Sequence, residues 1–170
     1  MSRSFPYTSL LRIQKVINFI FNKPTITLSN MHSAVVSIPV IEGIAPYIEV
    51  FDMPTSLHFY RDLLGFKLMM SSGTGDDVDW VLLEQNDHQF MMNTAYEREN
   101  RPPQPDASRT KWHKDTAFYF GCSDPDALYR YLISKGITVK EPYITGYGWK
   151  AVSLKDPDGY GLTFHRPMEK

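Results

Sequence analysis

Few side chains in this sequence could carry bond-making chemistry. Its five histidines and single cysteine show no HExxH spacing and no recognisable Ser-His-Asp set. Asp115 and His165 could approach one another and hold a metal ion, although an ordinary surface pair is the simpler interpretation. Cys122 lies on the helix-facing side of its strand, so we expect a buried apolar residue rather than a nucleophile.

Aromatic side chains suggest a different chemistry, since their faces attract flat or cationic ligands and methionine adapts to varied shapes. Strand alternation puts Tyr47 and Glu49 on the side of their strand that faces away from the apolar residues. The residues predicted to line a ligand cleft are Tyr47, Glu49, Trp80, Met92, Tyr119 and Trp149. The alternatives are that the aromatic residues belong to the core and that Glu49 is an ordinary rim charge.

The elements that must position these residues occur twice, at an offset of about 72 residues. Each copy starts with a strand, continues with an aspartate (Asp52 or Asp124) placed to cap an amphipathic helix, and ends that helix at a glycine (Gly65 or Gly136). Further strands follow, so each copy is a βαβββ unit and the fold class is α+β. Because such units are too small to stand alone, we expect them to share one core or one cleft.

Alternation and turn residues predict where the strands lie. The predicted strands cover residues 44–50, 66–70, 80–84 and 90–94 in the first copy, and 115–122, 137–140, 149–154 and 161–165 in the second. The Asp156-Pro157-Asp158-Gly159 segment predicts a tight turn between the last two strands. The linker, residues 95–113, either crosses between the two units or covers a ligand.

Composition limits the classes of function. The chain has 170 residues, 42% of them hydrophobic, and a net charge of −1 without a long basic run. It therefore suits one globular domain, with no nucleic acid and no membrane as partner. A single cysteine excludes an intrachain disulfide framework and favours a reducing, cytoplasmic location.

The N-terminal segment, residues 1–43, is predicted to be an extension outside the domain. It contains basic residues but no acidic residue before Glu42. We expect it to be partly disordered or to reflect an upstream start, with Met31 as the true first residue. The domain is then residues 44–167, divided into module 1 (44–94), the linker (95–113) and module 2 (114–167).

Several motifs together resemble the vicinal oxygen chelate superfamily, which includes glyoxalase I, extradiol dioxygenases, and fosfomycin- and bleomycin-resistance proteins. They are Val50-Phe51-Asp52, Phe59-Tyr60-Arg61-Asp62-Leu63-Leu64-Gly65-Phe66, Asp124-Pro125-Asp126-Ala127-Leu128 and Asp156-Pro157-Asp158-Gly159-Tyr160. The resemblance implies paired βαβββ modules whose curled mixed sheets surround a shared cleft, with the helices outside. It also implies a homodimer, because members of this size commonly complete their clefts across a two-fold interface.

The resemblance further implies where a family metal would bind. Counting from the family's pattern, its ligand positions fall on Ala45, Ala117 and Thr163. Alanine offers no donor atom, and a lone threonine hydroxyl is a poor ligand for a divalent cation. We therefore expect no metal and no other cofactor, as in the bleomycin-resistance branch, whose pattern the Gly148-Trp149-Lys150 segment resembles.

The sequence thus predicts a protein that binds a small, partly planar molecule in an aromatic cleft without the usual family metal. One alternative is a divalent-metal-dependent lyase or dioxygenase with a substituted ligand set such as Asp115 and His165. A second is a metal-free enzyme in which Glu49 acts as a general base on a carbonyl compound. A third is a protein-interaction module whose cleft is filled by its own side chains.

Overall fold

The computed structural model describes residues 39–41 and 43–168. The chain divides into two units, Met1–Ile41 and Glu42–Lys170. The predicted N-terminal extension, including Met31, lies almost entirely outside the described residues. All elements described below belong to the second unit.

Module 1 is a four-stranded sheet covered by one helix. Its strands are β1 (Tyr47–Val50), β2 (Lys67–Ser71), β3 (Trp80–Gln85) and β4 (His88–Thr94), in the order β1-β4-β3-β2. Strand β1 runs parallel to β4, whereas the other pairs are antiparallel. Helix α1 (Met53–Leu57) continues as a π-helix over His58–Leu63. Strands β1 and β2 can run in the same direction because a helix connects them. The two antiparallel pairs that follow then place β4 parallel to β1.

Both ends of this helix form for the reasons that the sequence suggests. Asp52 has extended backbone geometry, and its carboxylate accepts a hydrogen bond from the Thr55 N–H at 3.0 Å. That bond satisfies one of the free amides of the first turn. At the other end Gly65 has φ +80°, a conformation that favours glycine.

The linker contains short helices rather than an irregular loop. They are a 3-10 turn at Arg98–Asn100, helix α2 (Ala107–Trp112) and a 3-10 turn at His113–Asp115. Asp106 caps α2 by accepting from the Ser108 N–H at 2.8 Å. Arg109 on this helix is 9% exposed, so the linker packs against the modules.

Module 2 repeats the architecture of module 1. Its elements are β5 (Ala117–Gly121), α3 (Pro125–Ser134), β6 (Tyr143–Ile144), β7 (Trp149–Lys155) and β8 (Gly161–Pro167), and its sheet order is β5-β8-β7-β6. Strand β5 pairs with β8 in parallel, as β1 pairs with β4. The two curled four-stranded sheets confirm the α+β, paired βαβββ prediction.

One strand prediction is wrong. Residues 137–140 form no strand in the structure. Ile137 and Val139 alternate because they pack against the core from a loop. The fourth strand of the sheet is instead the two-residue β6, which pairs with β7 through Tyr143 and Ala151.

The two modules share one apolar core within the chain. Edge-to-face ring contacts join them, with centroid distances of 6.1 Å for Phe66–Phe120 and 5.7 Å for Phe90–Phe118. The fully buried members of this core include Val50, Met53, Leu57, Tyr60, Val81, Leu83, Met92, Leu132, Val152 and Leu162. Each sheet therefore presents its helix-covered face to the other module, and its opposite face points away from the core.

The Asp156–Gly159 turn fastens module 2 to module 1. Asp158 accepts a hydrogen bond from the Phe51 N–H at 2.9 Å, and Asp156 accepts one from the Tyr60 hydroxyl at 2.9 Å. The second oxygen of Asp156 accepts from the N–H groups of Asp158 and Tyr160 at 3.0 and 2.8 Å. The turn is therefore a buried polar junction between the modules, with its acceptors satisfied.

Gly159 in this turn is expected to resist substitution. It has φ +88°, and an added Cβ would lie 3.1 Å from Thr110 Cβ on α2. Gly159→Ala should lower the free energy of unfolding by about 1–2 kcal/mol more than Gly75→Ala. Gly75 is a matched control because its φ is +76° and nothing lies within 4 Å of its added Cβ. Urea denaturation measures both, and equal losses would contradict the close approach of the linker to the turn.

Among the residues that the structure describes, no helix has the length and apolar character needed to cross a bilayer.

Candidate functional site: the two open sheet faces

The outward side of the first sheet, which we name the module-1 face, consists of Tyr47, Glu49, Trp80, Met91 and Asn93. Pairing places Glu49 beside Asn93 and Asn93 beside Trp80, which forms one row across β1, β4 and β3. Tyr47 is 42% exposed and Trp80 only 7%. The face therefore offers an accessible phenol, a carboxylate and a recessed indole.

Hydrogen bonds from the linker and from module 2 hold the backbone of the module-1 face in place. Arg109 of the linker donates to the Glu49 carbonyl oxygen at 3.1 Å, and the Tyr160 hydroxyl donates to the same atom at 3.3 Å. Burial, followed by the nearby Glu49 and Tyr160, raises the pKa of Tyr47 to about 12. Tyr47 therefore keeps its proton near neutral pH and can act as a hydrogen-bond donor.

The outward side of the second sheet, which we name the module-2 face, carries a cluster of rings. His165 lies between Trp149 and Tyr119, with centroid distances of 4.6 and 5.5 Å. Tyr147 approaches Trp149 edge-on at 6.0 Å. Tyr119 is 61% exposed. Tyr119, His165 and Trp149 stand on the adjacent strands β5, β8 and β7, and Tyr147 lies in the turn before β7, so the rings form one continuous aromatic surface.

A chain of hydroxyl groups lies beside these rings. The Tyr143 hydroxyl and Ser153 Oγ are 3.0 Å apart, and Ser153 Oγ and Thr163 Oγ1 are 2.9 Å apart. Ser153 and Thr163 are directly paired across β7 and β8. The module-2 face is therefore polar at this edge without carrying a formal charge there.

The structure brings the sequence-predicted ligand residues onto two faces rather than one. Tyr47, Glu49 and Trp80 share the module-1 face, and Tyr119 and Trp149 share the module-2 face.

Met92 does not line either face. It is fully buried in the core, and its neighbour Met91 occupies the outward position of β4. The run Phe90-Met91-Met92 is apolar on both sides of the strand, so alternation alone could not assign its faces. The register with β1 and β3 fixes Met92 opposite Ile48 and Val81, on the inner side.

The residues at the family's metal positions do not fit a divalent cation. Ala117 begins β5 and provides no donor atom, while Thr163 uses its hydroxyl in the chain with Ser153. Asp115 and His165, the substituted pair of ligands, are not close neighbours. Strand β8 pairs His165 with Gly121 and Gly161 with Ala117. Asp115 precedes Ala117, so the strand alone separates the pair by about 13 Å.

Within the described part of the chain, no group of three His, Cys, Asp or Glu side chains lies close enough to hold a metal ion.

The linker forms the wall of a separate small cavity of about 300 Å³. Its lining residues are Phe51, Asp52, Thr55, Pro105, Arg109, Thr110, Pro157 and Asp158. Burial raises the pKa of Asp158, while the N–H of Phe51 and the charge of Arg109 act in the opposite direction. The charged side chains of this cavity already have partners, since Asp158 is 3.5 Å from Arg109 and Asp52 is 2.9 Å from Arg101.

The match to a protein family covers residues 43–164 and thus includes both modules and the linker. The chain belongs to the Glyoxalase/Bleomycin resistance protein/Dioxygenase superfamily. The vicinal oxygen chelate resemblance is thereby confirmed. No relative is found among curated proteins.

Solved structures of this superfamily share the fold of the chain. A bleomycin resistance determinant encoded on the transposon Tn5 is 20% identical with a TM-score of 0.56, and 76% of this chain covers 100% of that one. A bleomycin-binding protein complexed with bleomycin is 20% identical with a TM-score of 0.54, at 75% and 100% coverage. A lactoylglutathione lyase from Agrobacterium tumefaciens is 15% identical with a TM-score of 0.54, at 74% and 94% coverage. At these identities the similarity establishes the superfamily fold.

Sequence reasoning missed part of the module-2 face of this superfamily member. It gave no role to Tyr143, Ser153 or Thr163 as hydrogen-bonding groups. It considered His165 only as a metal ligand, whereas the ring contacts Tyr119 edge-on and lies tilted against Trp149. The available signal was alternation in β8, which puts Thr163 and His165 on the same side as each other.

Proposed function

We propose that this protein binds a small, partly planar molecule between aromatic sheet faces, without the metal of the superfamily's metalloenzymes. The observation that carries the proposal is the contiguous ring cluster of Tyr119, His165 and Trp149 on the outward side of module 2, in which Tyr119 is 61% exposed and the other two rings are half-buried. Contiguous exposed aromatic surface is costly unless it serves recognition. The bleomycin-binding protein of the same fold was solved with bleomycin, which supports a small molecule as the ligand class.

We further propose that the ligand cleft is completed by a second copy of the chain. Within one chain the space between the modules is filled by the shared core, so the module-1 and module-2 faces do not face each other. In a two-fold homodimer, the module-1 face of one protomer can close over the module-2 face of its partner, and each dimer then has two equivalent clefts. Tyr47, Glu49 and Trp80 would meet Tyr119 and Trp149 there.

In this arrangement each face has its own task. The module-2 rings provide the stacking surface for the planar part of the ligand. Glu49 and the Tyr47 hydroxyl supply polar contacts from the opposite wall. The buried Arg109 and Tyr160, by holding the Glu49 carbonyl oxygen, keep that wall in a fixed position.

Equilibrium binding tests this proposal with three probes: bleomycin, the neutral planar dye lumichrome and the planar cation 9-aminoacridine. We expect at least one of them to bind with a Kd below about 100 µM and with one ligand per protomer. Bovine serum albumin treated in the same way controls for nonspecific adsorption. Absence of saturable binding for all three probes would overturn the proposal.

Metal content tests the metal-free part of the proposal separately. Untagged protein exchanged with Mn, Ni, Zn and Fe should retain less than about 0.1 metal ion per chain by elemental mass spectrometry. The family's metal positions, Ala45, Ala117 and Thr163, offer too few donor atoms to hold an ion. Close to one ion per chain would support a metal-dependent lyase or dioxygenase instead.

We also propose a cytoplasmic location. The single cysteine, Cys122, is a free thiol, which suits a reducing compartment.

A further inference from the structure

The hydroxyl chain on the module-2 face has a direction. Three hydroxyl groups carry three protons, and the two hydrogen bonds among Tyr143, Ser153 and Thr163 use two of them. Thr163 is 8% exposed, and its hydroxyl has no further partner among the described residues. Tyr143, at the other end, is 46% exposed.

Burial decides where the remaining proton lies. If the hydroxyl chain ran toward Thr163, its last proton would be buried without an acceptor, which is costly. If Thr163 and Tyr143 both donated to Ser153, the remaining proton would lie without an acceptor on the half-buried Ser153 hydroxyl. The favourable order runs from Thr163 to Ser153 to Tyr143. The Tyr143 O–H then remains free at the exposed end as a hydrogen-bond donor.

The free donor stands next to the stacking surface. Tyr143 pairs with Ala151, which pairs with His165 on the next strand. Ala151 itself is fully buried beneath its neighbours, and a Cβ added at Gly121, on the other side of His165, would meet nothing within 4 Å. Gly121 therefore leaves open space beside the imidazole, next to the exposed ring of Tyr119, in which a flat molecule can lie.

The stacking surface is also free of protein cations. In the described part of the chain, the close cation–ring contact is Lys135 over Tyr131 on α3, away from this face. The exposed ring of Tyr119 is therefore available to a ligand.

We propose that the module-2 face selects planar heteroaromatic molecules that carry a hydrogen-bond acceptor, such as a carbonyl oxygen or ring nitrogen, on one edge. Tyr143 is the specificity-determining donor, and Ser153 and Thr163 are positioning residues that orient its proton. This inference rests on the proposed function, since it names the ligand class of the same cleft. It does not depend on which protomer supplies the opposite wall.

Lumichrome and 9-aminoacridine are suitable probes because both are flat, tricyclic and fluorescent. Lumichrome is neutral and has carbonyl acceptors on its edge, whereas 9-aminoacridine is cationic and presents donors. Tyr143→Phe removes the hydroxyl and keeps the ring. We expect it to weaken lumichrome binding about 5- to 10-fold and 9-aminoacridine binding less than about 2-fold, as measured by fluorescence titration.

Thr163→Val tests the chain of hydroxyl groups rather than the Tyr143 donor alone. Because Thr163 is buried, it acts through Ser153, and its loss should weaken lumichrome binding about 2- to 3-fold without affecting 9-aminoacridine. Tyr131→Phe, a partly exposed tyrosine on α3, is the matched control and should change neither affinity. Circular dichroism establishes that each variant is folded.

The outcomes separate this inference from the proposed function. Equal losses for both probes in Tyr143→Phe, or no loss for lumichrome, would overturn the selection of acceptor-bearing ligands while planar binding stands. Failure of both probes to bind the unmodified protein, and of bleomycin as well, would overturn the proposed function and this inference together.

Discussion

Replacing Trp149 with alanine is expected to weaken the binding of a planar ligand by about 10- to 100-fold. One aromatic stacking partner contributes about 1–3 kcal/mol, and Trp149 provides the largest ring of the module-2 face. The loss of affinity should exceed that of one stacking contact, because Trp149 also packs on His165 at 4.6 Å and helps to hold that imidazole in the ring cluster.

Two further variants make this result specific. Trp149→Phe keeps a smaller ring and should recover part of the affinity. Trp112→Ala removes a tryptophan that is 64% exposed on the linker helix, and it should leave the affinity within about 2-fold. Titration of lumichrome and bleomycin measures all three, and thermal unfolding checks the fold. An unchanged affinity in folded Trp149→Ala would remove the module-2 face from the binding site.

Asp156→Asn is expected to change how stability depends on pH. Burial raises the pKa of Asp156 to about 6, although the hydrogen bonds from Tyr60 and Tyr160 lower it. Since the folded protein holds this proton more tightly than the unfolded chain does, the stabilisation is complete below pH 3.8 and is lost as the pH rises through about 6. At neutral pH the ionised carboxylate therefore costs about 3 kcal/mol relative to acid.

The asparagine preserves the geometry of the junction. Its oxygen can accept from the N–H groups of Asp158 and Tyr160 as the aspartate does. Its amide can donate to the Tyr60 oxygen, which reverses the bond that Tyr60 donates to Asp156, and this reversal costs the same throughout the pH range measured. Between pH 4.5 and 7.5 the free energy of unfolding of the variant should rise by about 2 kcal/mol relative to the unmodified protein.

Asp87→Asn provides the control for net charge. Asp87 is exposed in the β3–β4 turn with φ +64°, a conformation that asparagine tolerates. Its stability difference from the unmodified protein should not change over this pH range. Urea denaturation at each pH gives the free energies, and parallel pH profiles for Asp156→Asn and the unmodified protein would refute the assignment.

The sequence was sufficient for the fold wherever local chemistry and packing agreed. Asp52 and Asp124 cap their helices through a backbone N–H three residues later, and Gly65 and Gly136 adopt positive φ, as their positions predict. In β1 a polar residue alternates with an apolar one, so the outward position of Glu49 could be inferred correctly.

Prediction from the sequence failed where the position of a side chain depends on pairing with strands that are distant in the sequence. The outward residue of β4 is Met91 because of its register with β1 and β3, which the local run of apolar residues does not specify. Ile137 and Val139 alternate like a strand but contact the core from a loop. Arg109 reads as one charge among many in the linker, yet it is buried and reaches Glu49.

The module-2 face shows the same limit for the candidate site. Tyr119 and Trp149 could be proposed from residue type and alternation. The hydroxyl chain joins Tyr143, Ser153 and Thr163 across three strands, so it exists only once the pairing of β6, β7 and β8 is known. The separation of Asp115 from His165 likewise follows from the parallel register of β5 and β8.

Subunit complementation tests most directly whether the ligand cleft is shared between two protomers. Tyr47→Ala removes the accessible ring of the module-1 face, and Trp149→Ala removes the largest ring of the module-2 face. Each variant alone should bind lumichrome poorly. When the two variants are mixed and refolded together, half of the dimers should be heterodimers. Each heterodimer has one intact cleft out of two, so about one quarter of the unmodified binding capacity should return with normal affinity. Capacity that remains at the level of the separate variants, with dimers formed, would contradict the composite cleft.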